Sequence, residues 1–149
     1  WTVVLDPFPP LMVSEYLDMR HSVDVFLDQG KARCAVVRTE MARLYGMSVA
    51  GEVVKDEAVE EIAVATAEQL GLSYTVNVEV GHDAERRPKL VEVNPRFPAT
   101  IDHTVLAGCN MPLWTVLAAL DRPYKAAKPV VGTRYVRHWS SVAPGHGWK

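Results

Sequence analysis

The sequence predicts an α+β fold, with an antiparallel sheet of about five or six strands and helices packed on one side. Two observations predict it. Several short segments alternate polar residues with Val, as half-buried strands do, and one long segment has the period of an amphipathic helix. At 149 residues, of which 48% are hydrophobic, the chain is long enough to bury a core. We therefore expect a single domain over residues 1–149.

Strands dominate the first part of the chain. They are predicted over residues 11–17, 22–28 and 33–40, which are rich in β-branched and other apolar residues. The segment Asp28-Gln29-Gly30 joins the last two, and Gly in such a short connection is typical of a hairpin. Residues 41–55 are expected to form an irregular turn around Gly46 and Gly51, with short strand pieces.

A helix is predicted from Asp56 to Leu70. Its apolar face is expected to consist of Val59, Ile62, Thr66 and Leu70. Acidic residues crowd the first turns, where they favour the positive end of the helix dipole, and Gly71 ends the helix. We interpret this acidic run as a solvated face, because no paired His or Cys accompanies it as in a transition-metal site.

The second half alternates strands and helices. A strand around Asn77-Val78-Glu79 and another over Lys89–Phe97 are expected to pair across the turn between them. Pro near the first turn favours a helix that opens at Met111. A last strand is predicted over Thr133–Trp139, and residues 140–149 are expected to form a flexible tail.

Oxygen-bearing side chains recur at strand spacing in the paired segments. Alternation places Asn77 and Glu79 on one face of their strand and Glu92 and Asn94 on one face of the next. If the strands pair, these oxygens can converge on one patch, and such oxygens are the ligands that Mg2+ prefers. Polar residues alternating with Val are equally typical of an ordinary half-solvated strand, so both interpretations stay open here.

The segment Asn94-Pro95-Arg96 favours the functional interpretation. Pro ends the strand at a fixed turn. Arg96 then returns to the face of Asn94, where a guanidinium could bind phosphate through two hydrogen bonds. A plain surface strand has no need of this arrangement.

From these residues the chain resembles the ATP-grasp superfamily, most closely its carbamoyl-phosphate-synthase-like ligase branch. The resemblance covers roughly residues 11 to 110 and is confined to the C-terminal half of the ATP-binding fold. The motifs, in chain order, are Met12-Val13-Ser14-Glu15-Tyr16-Leu17, Ser22-Val23-Asp24-Val25, Ala35-Val36-Val37-Arg38, Gly46-Met47-Ser48, a helix from about Asp56, Asn77-Val78-Glu79 and Glu92-Val93-Asn94-Pro95-Arg96.

The resemblance implies ATP and Mg2+, or Mn2+, as cofactors. It assigns Glu79, Glu92 and Asn94 as metal ligands, with Asn77 supporting them. Arg96 is the catalytic residue that would contact the transferred phosphoryl group.

The same resemblance implies that Glu15, with the backbone of Tyr16 and Leu17, forms the hinge against the adenine. Arg38, and less specifically Arg43, match positions of basic residues near phosphate or substrate. An ordinary charged strand end is the alternative for both arginines.

As to function, the resemblance implies the C-terminal portion of a carboxylate-amine ligase that forms an acyl-phosphate, with the carboxylate and amine unidentified. The earlier half of the nucleotide clamp has no counterpart in the sequence, so we expect a piece of a longer ligase. By itself this piece should be inactive and bind Mg-ATP weakly. The alternative is a non-catalytic regulatory or oligomerising module that keeps the fold.

Composition argues against several classes of partner. A net charge of −2 gives no electrostatic reason to expect nucleic acid or an anionic membrane. No apolar stretch is long enough to span a bilayer, so the cytoplasm is the default location. Homodimerisation through exposed apolar surface is a further hypothesis.

Two smaller features remain. Cys34 and Cys109 are far apart in sequence and lack a Cys-x-x-Cys pattern, so we interpret each as a small buried residue. Asp102 and His103 are adjacent, and neighbours in a strand or helix point apart. We therefore expect a capping role for them and not an acid-base pair.

Overall fold

This computed structural model describes residues 10–139, except for the side chains of Met19 and Arg20. The described residues contain six strands and three helices. In chain order they are β1 Asp18–Asp28, β2 Lys31–Leu44, β3 Met47–Val53, α1 Glu57–Gln69, β4 Tyr74–His82, β5 Pro88–Asn94, α2 Ile101–Leu106, α3 Met111–Ala119 and β6 Arg134–Val136. The strands form one antiparallel sheet in the order β5-β4-β1-β2-β3-β6. The α+β class and the antiparallel sheet are confirmed. The tail predicted over residues 140–149 lies outside the described residues.

Helix α1 covers one face of the sheet. It begins after Asp56, whose Oδ1 accepts a hydrogen bond from the backbone N–H of Val59 at 3.1 Å. Its buried residues are Val59, Ala63 and Ala67, which pack on the alternate residues Val23, Val25, Leu27, Val76, Val78 and Val80 of β1 and β4. The helix is confirmed, but its predicted apolar face is displaced, since Leu70 is 59% exposed.

The opposite face of the sheet carries α2 and α3. The second core consists of Phe26, Cys34, Val36, Val53, Ala107, Cys109, Met111 and Trp114. Because Val25 and Phe26 are both fully buried and point to opposite faces, β1 needs cover on both sides. The expectation that all helices lie on one side is therefore corrected.

Two predicted elements of the first half also differ. Residues 10–17 form no strand, and Met12 and Val13 are 95% and 90% exposed, because no neighbouring strand pairs with them. Residues 41–55, expected to be an irregular turn with short strand pieces, instead complete a hairpin in which Leu44 pairs with Met47 and the register shifts on either side of Ala42. Tyr45 and Gly46 form its two-residue turn with φ of 50° and 81°, the conformation that such hairpins require. The last strand is shorter than predicted.

Gly51 is a point where the sheet tolerates no side chain. A Cβ there would lie 2.1 Å from the carbonyl oxygen of Thr39 and 2.2 Å from the hydroxyl of Tyr135. We expect Gly51→Ala to lower the free energy of unfolding by about 1–3 kcal/mol, because β2 or β6 must move. Urea unfolding measures this. Gly30→Ala is the reference for backbone strain alone, since a Cβ there meets nothing within 4 Å but Ala at a φ of +73° is strained. A loss of less than about 0.5 kcal/mol in Gly51→Ala would contradict the steric explanation.

Candidate functional site

The site lies on the face of the sheet that carries α2 and α3, where α2 and its N-cap contact the strands. Four neighbouring strands contribute two rows of side chains there. One row is Arg38, Ser22, Glu79 and Glu92, and the other is Val36, Asp24, Asn77 and Asn94. We call this surface the polar face. The rows arise because antiparallel pairing places residues of adjacent strands directly opposite each other.

The predicted pairing of the two motif strands is present. Glu79 is directly opposite Glu92, and Asn77 is directly opposite Asn94. Asn77 is 3% exposed, whereas Glu92 is exposed to solvent. The oxygens that the sequence analysis grouped therefore do come together at one end of the sheet, graded from buried to exposed.

The donor set of this patch suits a hard divalent cation. In the described part of the chain no group of three or more His, Cys, Asp or Glu side chains could hold a metal ion. Two carboxylates and an amide oxygen nevertheless fit Mg2+, which usually takes one or two carboxylates and completes its shell with water and phosphate. The residues therefore fit the metal that the resemblance implies only together with a phosphate ligand.

Arg96 returns to the polar face as its motif predicts. Its backbone N–H donates to the carbonyl of Asn94 at 2.7 Å, which tightens the turn after β5. Its Nη1 donates to the carbonyl of Phe97 at 3.0 Å, and its Nη2 lies 3.5 Å from Oδ1 of Asn94. Because the side chain is exposed, the guanidinium keeps donors for an anion.

A cavity of about 180 Å³ lies over the polar face. It is lined by Ser22, Arg38, Glu40, Arg43, Gly46, Met47, Ser48, Asn77, Glu79, Asn94, Arg96, Pro98, Ala99, Thr100 and Tyr135. Arg43 donates to Oε2 of Glu40 at 2.6 Å and 3.0 Å. The cavity thus joins the predicted metal and phosphate residues to the hairpin of β2 and β3.

A second cavity, of about 380 Å³, shares Glu40 and Arg43 with the first. Tyr16 and Leu17 of the predicted hinge line it. Glu15 instead lines a separate cavity together with Lys89 and Val91. Glu40 and Arg43 therefore lie between the cavity of the two hinge residues and the cavity over the motif of β4 and β5, since both cavities include them.

Arg38 is part of the floor of the polar face. Its side chain is 1% exposed, and its Nη2 donates to Oδ1 of the fully buried Asp24 at 2.9 Å. Nη2 also donates to Oγ of Ser22 at 3.1 Å, and Nη1 donates to Oγ1 of Thr100 at 3.0 Å. Since protein atoms already occupy both terminal nitrogens, the geometry suits Arg38 to supporting the site and not to reaching into it.

Asn77 connects this floor to the metal motif. Its Nδ2 donates to Oδ1 of Asp24 at 2.8 Å and to Oγ of Ser22 at 2.9 Å. Asp24 is held from the other side by the hydroxyl of Thr104 in α2, which donates to its Oδ2. One buried carboxylate thus fixes side chains from β2, β4 and α2.

His103 of α2 contacts the buried network on the side away from the sheet. It is 2% exposed, its ring stacks on Tyr135 with centroids 3.6 Å apart, and its Nδ1 lies 3.5 Å from Nη1 of Arg38. Asp102 instead accepts a hydrogen bond from Nη2 of Arg137 at 2.9 Å. The expected capping role is corrected, because α2 has no side-chain cap and its N-cap is Thr100.

Burial lowers the pKa of His103 from 6.5 to about 4, and the nearby Arg38 and Arg137 act in the same direction against the carboxylates of Asp102 and Asp24. The unfolded chain therefore takes up a proton below pH 6.5, whereas the folded chain does so only near pH 4. Stability from this group is present above pH 6.5 and is lost as pH falls from 6.5 to 4.

From these values we expect the free energy of unfolding to fall by about 2 kcal/mol between pH 7 and pH 5 on account of His103. Urea unfolding at both pH values measures the change. His103→Phe is the matched control, because Phe keeps a ring against Tyr135 and cannot titrate. A variant with the same pH dependence as the wild type would contradict the assignment.

Sequence reasoning overlooked most of this floor. It noted Asp24 only as part of a strand motif and assigned no role to Ser22, Thr100 or Thr104. One signal was available: a charged residue within the apolar run Val23-Asp24-Val25-Phe26 must be buried and therefore needs a partner.

The sequence of this chain matches, over residues 7–141, the family described as "ATP-grasp in the biosynthetic pathway with Ter operon". No curated protein matches the sequence at a significant level. In the part of the chain that the structure describes, no helix is long and apolar enough to cross a membrane.

Several solved structures share the fold. N5-carboxyaminoimidazole synthase from Aspergillus clavatus, crystallised with ADP and 5-aminoimidazole ribonucleotide, has a TM-score of 0.61 at 13% identity, over 78% of this chain and 34% of its own. The ATPase subunit of phosphoribosylaminoimidazole carboxylase from Aquifex aeolicus has a TM-score of 0.63 at 19% identity, over 76% and 38%.

The biotin carboxylase domain of 2-oxoglutarate carboxylase from Hydrogenobacter thermophilus, a dimer with MgADP, ADP and bicarbonate, has a TM-score of 0.59 at 14% identity, over 78% and 28%. At identities this low the likeness establishes the fold alone. The chain spans about a third of the length of these proteins.

Proposed function

Because this chain belongs to the family of ATP-grasp proteins in the biosynthetic pathway with the Ter operon, we propose that it carries the C-terminal half of the nucleotide site of an ATP-dependent carboxylate-amine ligase. The observation that carries the proposal is the pairing of Glu79 with Glu92 and of Asn77 with Asn94, beside an arginine that turns back over them. This set places oxygen ligands for a metal ion beside a guanidinium that can donate hydrogen bonds to phosphate.

In this proposal Glu79, Glu92 and Asn94 hold Mg2+, or Mn2+, when nucleotide is present. The bound metal supplies neutralisation of the charge on the phosphates. The donor set supports this, and the MgADP in the Hydrogenobacter thermophilus protein is consistent with it. Asn77 keeps β4 in place by its hydrogen bonds to Asp24 and Ser22.

We assign the cavity lined by Tyr16 and Leu17 to the base of the nucleotide. The cavity lined by Tyr16 and Leu17 is larger than the one over the polar face, and Tyr16 is 83% exposed, so an aromatic surface is available for a flat ring. Glu15 lies on the far side of Leu17 and would act at the edge of this pocket. The phosphates would then extend past Glu40 and Arg43 towards Asn94.

Arg96 is proposed as the catalytic residue. Transfer of a phosphoryl group requires positioning and neutralisation of developing oxygen charge more than a nucleophilic side chain. Arg96 is exposed at the end of β5, and a guanidinium can donate two parallel hydrogen bonds to a phosphate. In the full-length ligase it would hold the phosphoryl group while a carboxylate attacks and becomes an acyl-phosphate.

The test is made on the full-length protein, with candidate carboxylates and with hydroxylamine as the trapping amine. We expect ADP formation that requires Mg2+ and a carboxylate, together with a hydroxamate that reports the acyl-phosphate. Arg96→Lys should reduce turnover at least about 100-fold, since it removes the bidentate donor. Arg86→Lys, on the β4–β5 turn, is the matched control. Carboxylate-independent hydrolysis of ATP, with no hydroxamate, would contradict the ligase proposal, and the absence of both ADP and hydroxamate would favour the non-catalytic module.

A further inference from the structure

Two cysteines that the proposed function does not use lie next to each other in the core. Cys34 is in β2, and Cys109 is in the connection between α2 and α3. Both are free and buried, and their sulfur atoms are 3.7 Å apart although the residues are 75 positions apart in the sequence. A disulfide bond needs about 2.05 Å, so a movement of less than about 2 Å would join them.

A cavity of about 410 Å³ leads to this pair. Cys34 and Ala127 line it, with Arg33, Lys55 and Lys128 among the other lining residues. Cys34 Sγ lies 3.3 Å from the carbonyl oxygen of Ala127, and Cys109 Sγ lies 3.6 Å from the same oxygen. A small solute that enters the cavity therefore meets Cys34, whereas Cys109 does not line the cavity and is 0% exposed.

The two thiols lie in different surroundings. Cys34 donates a hydrogen bond to Cys109, which lowers the pKa of Cys109 and, together with burial, raises the pKa of Cys34. Cys34 lines the cavity, whereas Cys109 lies behind it with its sulfur 3.7 Å from that of Cys34. Whichever sulfur is oxidised first, the other is in position to resolve its oxidised form.

We propose that Cys34 and Cys109 are an oxidative modification site, which a small hydroperoxide converts into an intramolecular disulfide. The thiolate of one cysteine attacks one peroxide oxygen, the O–O bond breaks, and the products are a sulfenic acid and, after protonation, an alcohol or water. The thiol of the other cysteine then attacks the sulfenic sulfur and releases its proton to the departing hydroxide, which leaves as water. In sum, two thiols lose two electrons and two protons, and the peroxide is reduced by two electrons.

The bond would act on the layer that covers the polar face. The backbone N–H of Cys109 donates to the carbonyl of Thr104 at 3.1 Å, and the hydroxyl of Thr104 donates to Asp24. Joining Cys109 to β2 therefore fixes the end of α2 over the buried Asp24 and Arg38. Oxidation should stabilise the arrangement beneath the candidate site and not open it.

The experiment exposes the folded full chain to hydrogen peroxide and then blocks remaining thiols with an alkylating agent. Intact mass should show the loss of two hydrogen atoms and no alkylation, and a non-reduced digest should contain one peptide pair that joins Cys34 to Cys109. Cys34→Ser and Cys109→Ser should each lack this product. The melting temperature of the oxidised chain should exceed that of the reduced chain by about 5 °C or more.

Several results would overturn the proposal. These are two alkylated thiols after treatment, sulfinic acid without the cross-linked pair, dimers joined by disulfides, or a bond that forms only in urea. A lower melting temperature after oxidation would show that the fold does not accommodate the bond. If the serine variants fail to fold, the wild-type digest decides alone, because it identifies the linked residues directly.

Discussion

Replacing Arg38 by Met is expected to lower the free energy of unfolding by about 3–5 kcal/mol. The side chains of Arg38 and Asp24 are 1% and 0% exposed, so the variant leaves a carboxylate in the core without its cation. Asn77 and Thr104 still donate to Asp24, but neither carries a charge. A loss of this size would place the variant near the limit of an ordinary domain's stability.

Chemical unfolding followed by circular dichroism measures the effect. Arg134→Met is the matched control: Arg134 lies 2.9 Å from Glu52, but the two side chains are 75% and 28% exposed, so the loss should stay within about 1 kcal/mol. Similar small losses in both variants would show that water reaches Asp24 and would contradict the buried pair.

A double variant separates charge from shape at the same position. Asp24→Leu combined with Arg38→Met removes both charges and leaves apolar side chains of similar length in a core that already contains Val36 and Phe26. Such replacements are often neutral or stabilising relative to the ion pair. We therefore expect the double variant to be more stable than Arg38→Met alone, although Asn77 loses an acceptor. If the buried ion pair serves to fix a single arrangement of the core, the double variant should still fold, but the side chain of Asn77 should be less ordered because its acceptor on Asp24 is gone.

Local signals in the sequence predicted several elements correctly. Helix α1 follows from Asp56 at its N-cap and Gly71 at its end, because these residues fix backbone conformations without distant partners. The pairing of β4 with β5 follows from two short alternating strands joined by a tight connection. The grouping of Glu79 with Glu92 depends on that local pairing and was therefore predictable.

Other features depend on contacts between distant residues and could not be predicted in this way. The floor of the site joins Arg38 to Thr100, 62 positions away, and Asp24 to Thr104, 80 positions away. The resemblance matched Arg38 to a basic residue near phosphate or substrate, with a charged strand end as the alternative. In fact β2 continues to Leu44, and Arg38 is buried because α2 covers its face of the strand through Thr100 and His103.

A single substitution at Glu79 or Glu92 is expected to weaken the binding of a divalent cation more than any other substitution in this chain. In Glu79→Gln and Glu92→Gln the side chain keeps its length and loses the charge that a divalent cation requires. Changes to groups that merely support metal ligands cost 10–100-fold in metal affinity, so loss of a ligand should weaken Mn2+ binding in the presence of ADP by at least about tenfold. Electron paramagnetic resonance of free Mn2+ measures this affinity on the full-length protein.

The control for both variants is Glu85→Gln, because Glu85 is an exposed carboxylate on the β4–β5 turn, paired with Arg87 at 2.9 Å. It should bind Mn2+ and ADP as the wild type does. Unchanged binding in both Glu79→Gln and Glu92→Gln would contradict the metal assignment, provided that circular dichroism shows folded protein.

The double variant tests whether the two carboxylates share an ion. If Glu79 and Glu92 bind one cation, the loss in the double variant should be smaller than the product of the two single losses, since groups that act as a unit are not additive. Glu79 is half-buried and lines the cavity, whereas Glu92 is exposed. We therefore expect the larger single loss at Glu79, where less water is available to replace the missing ligand charge.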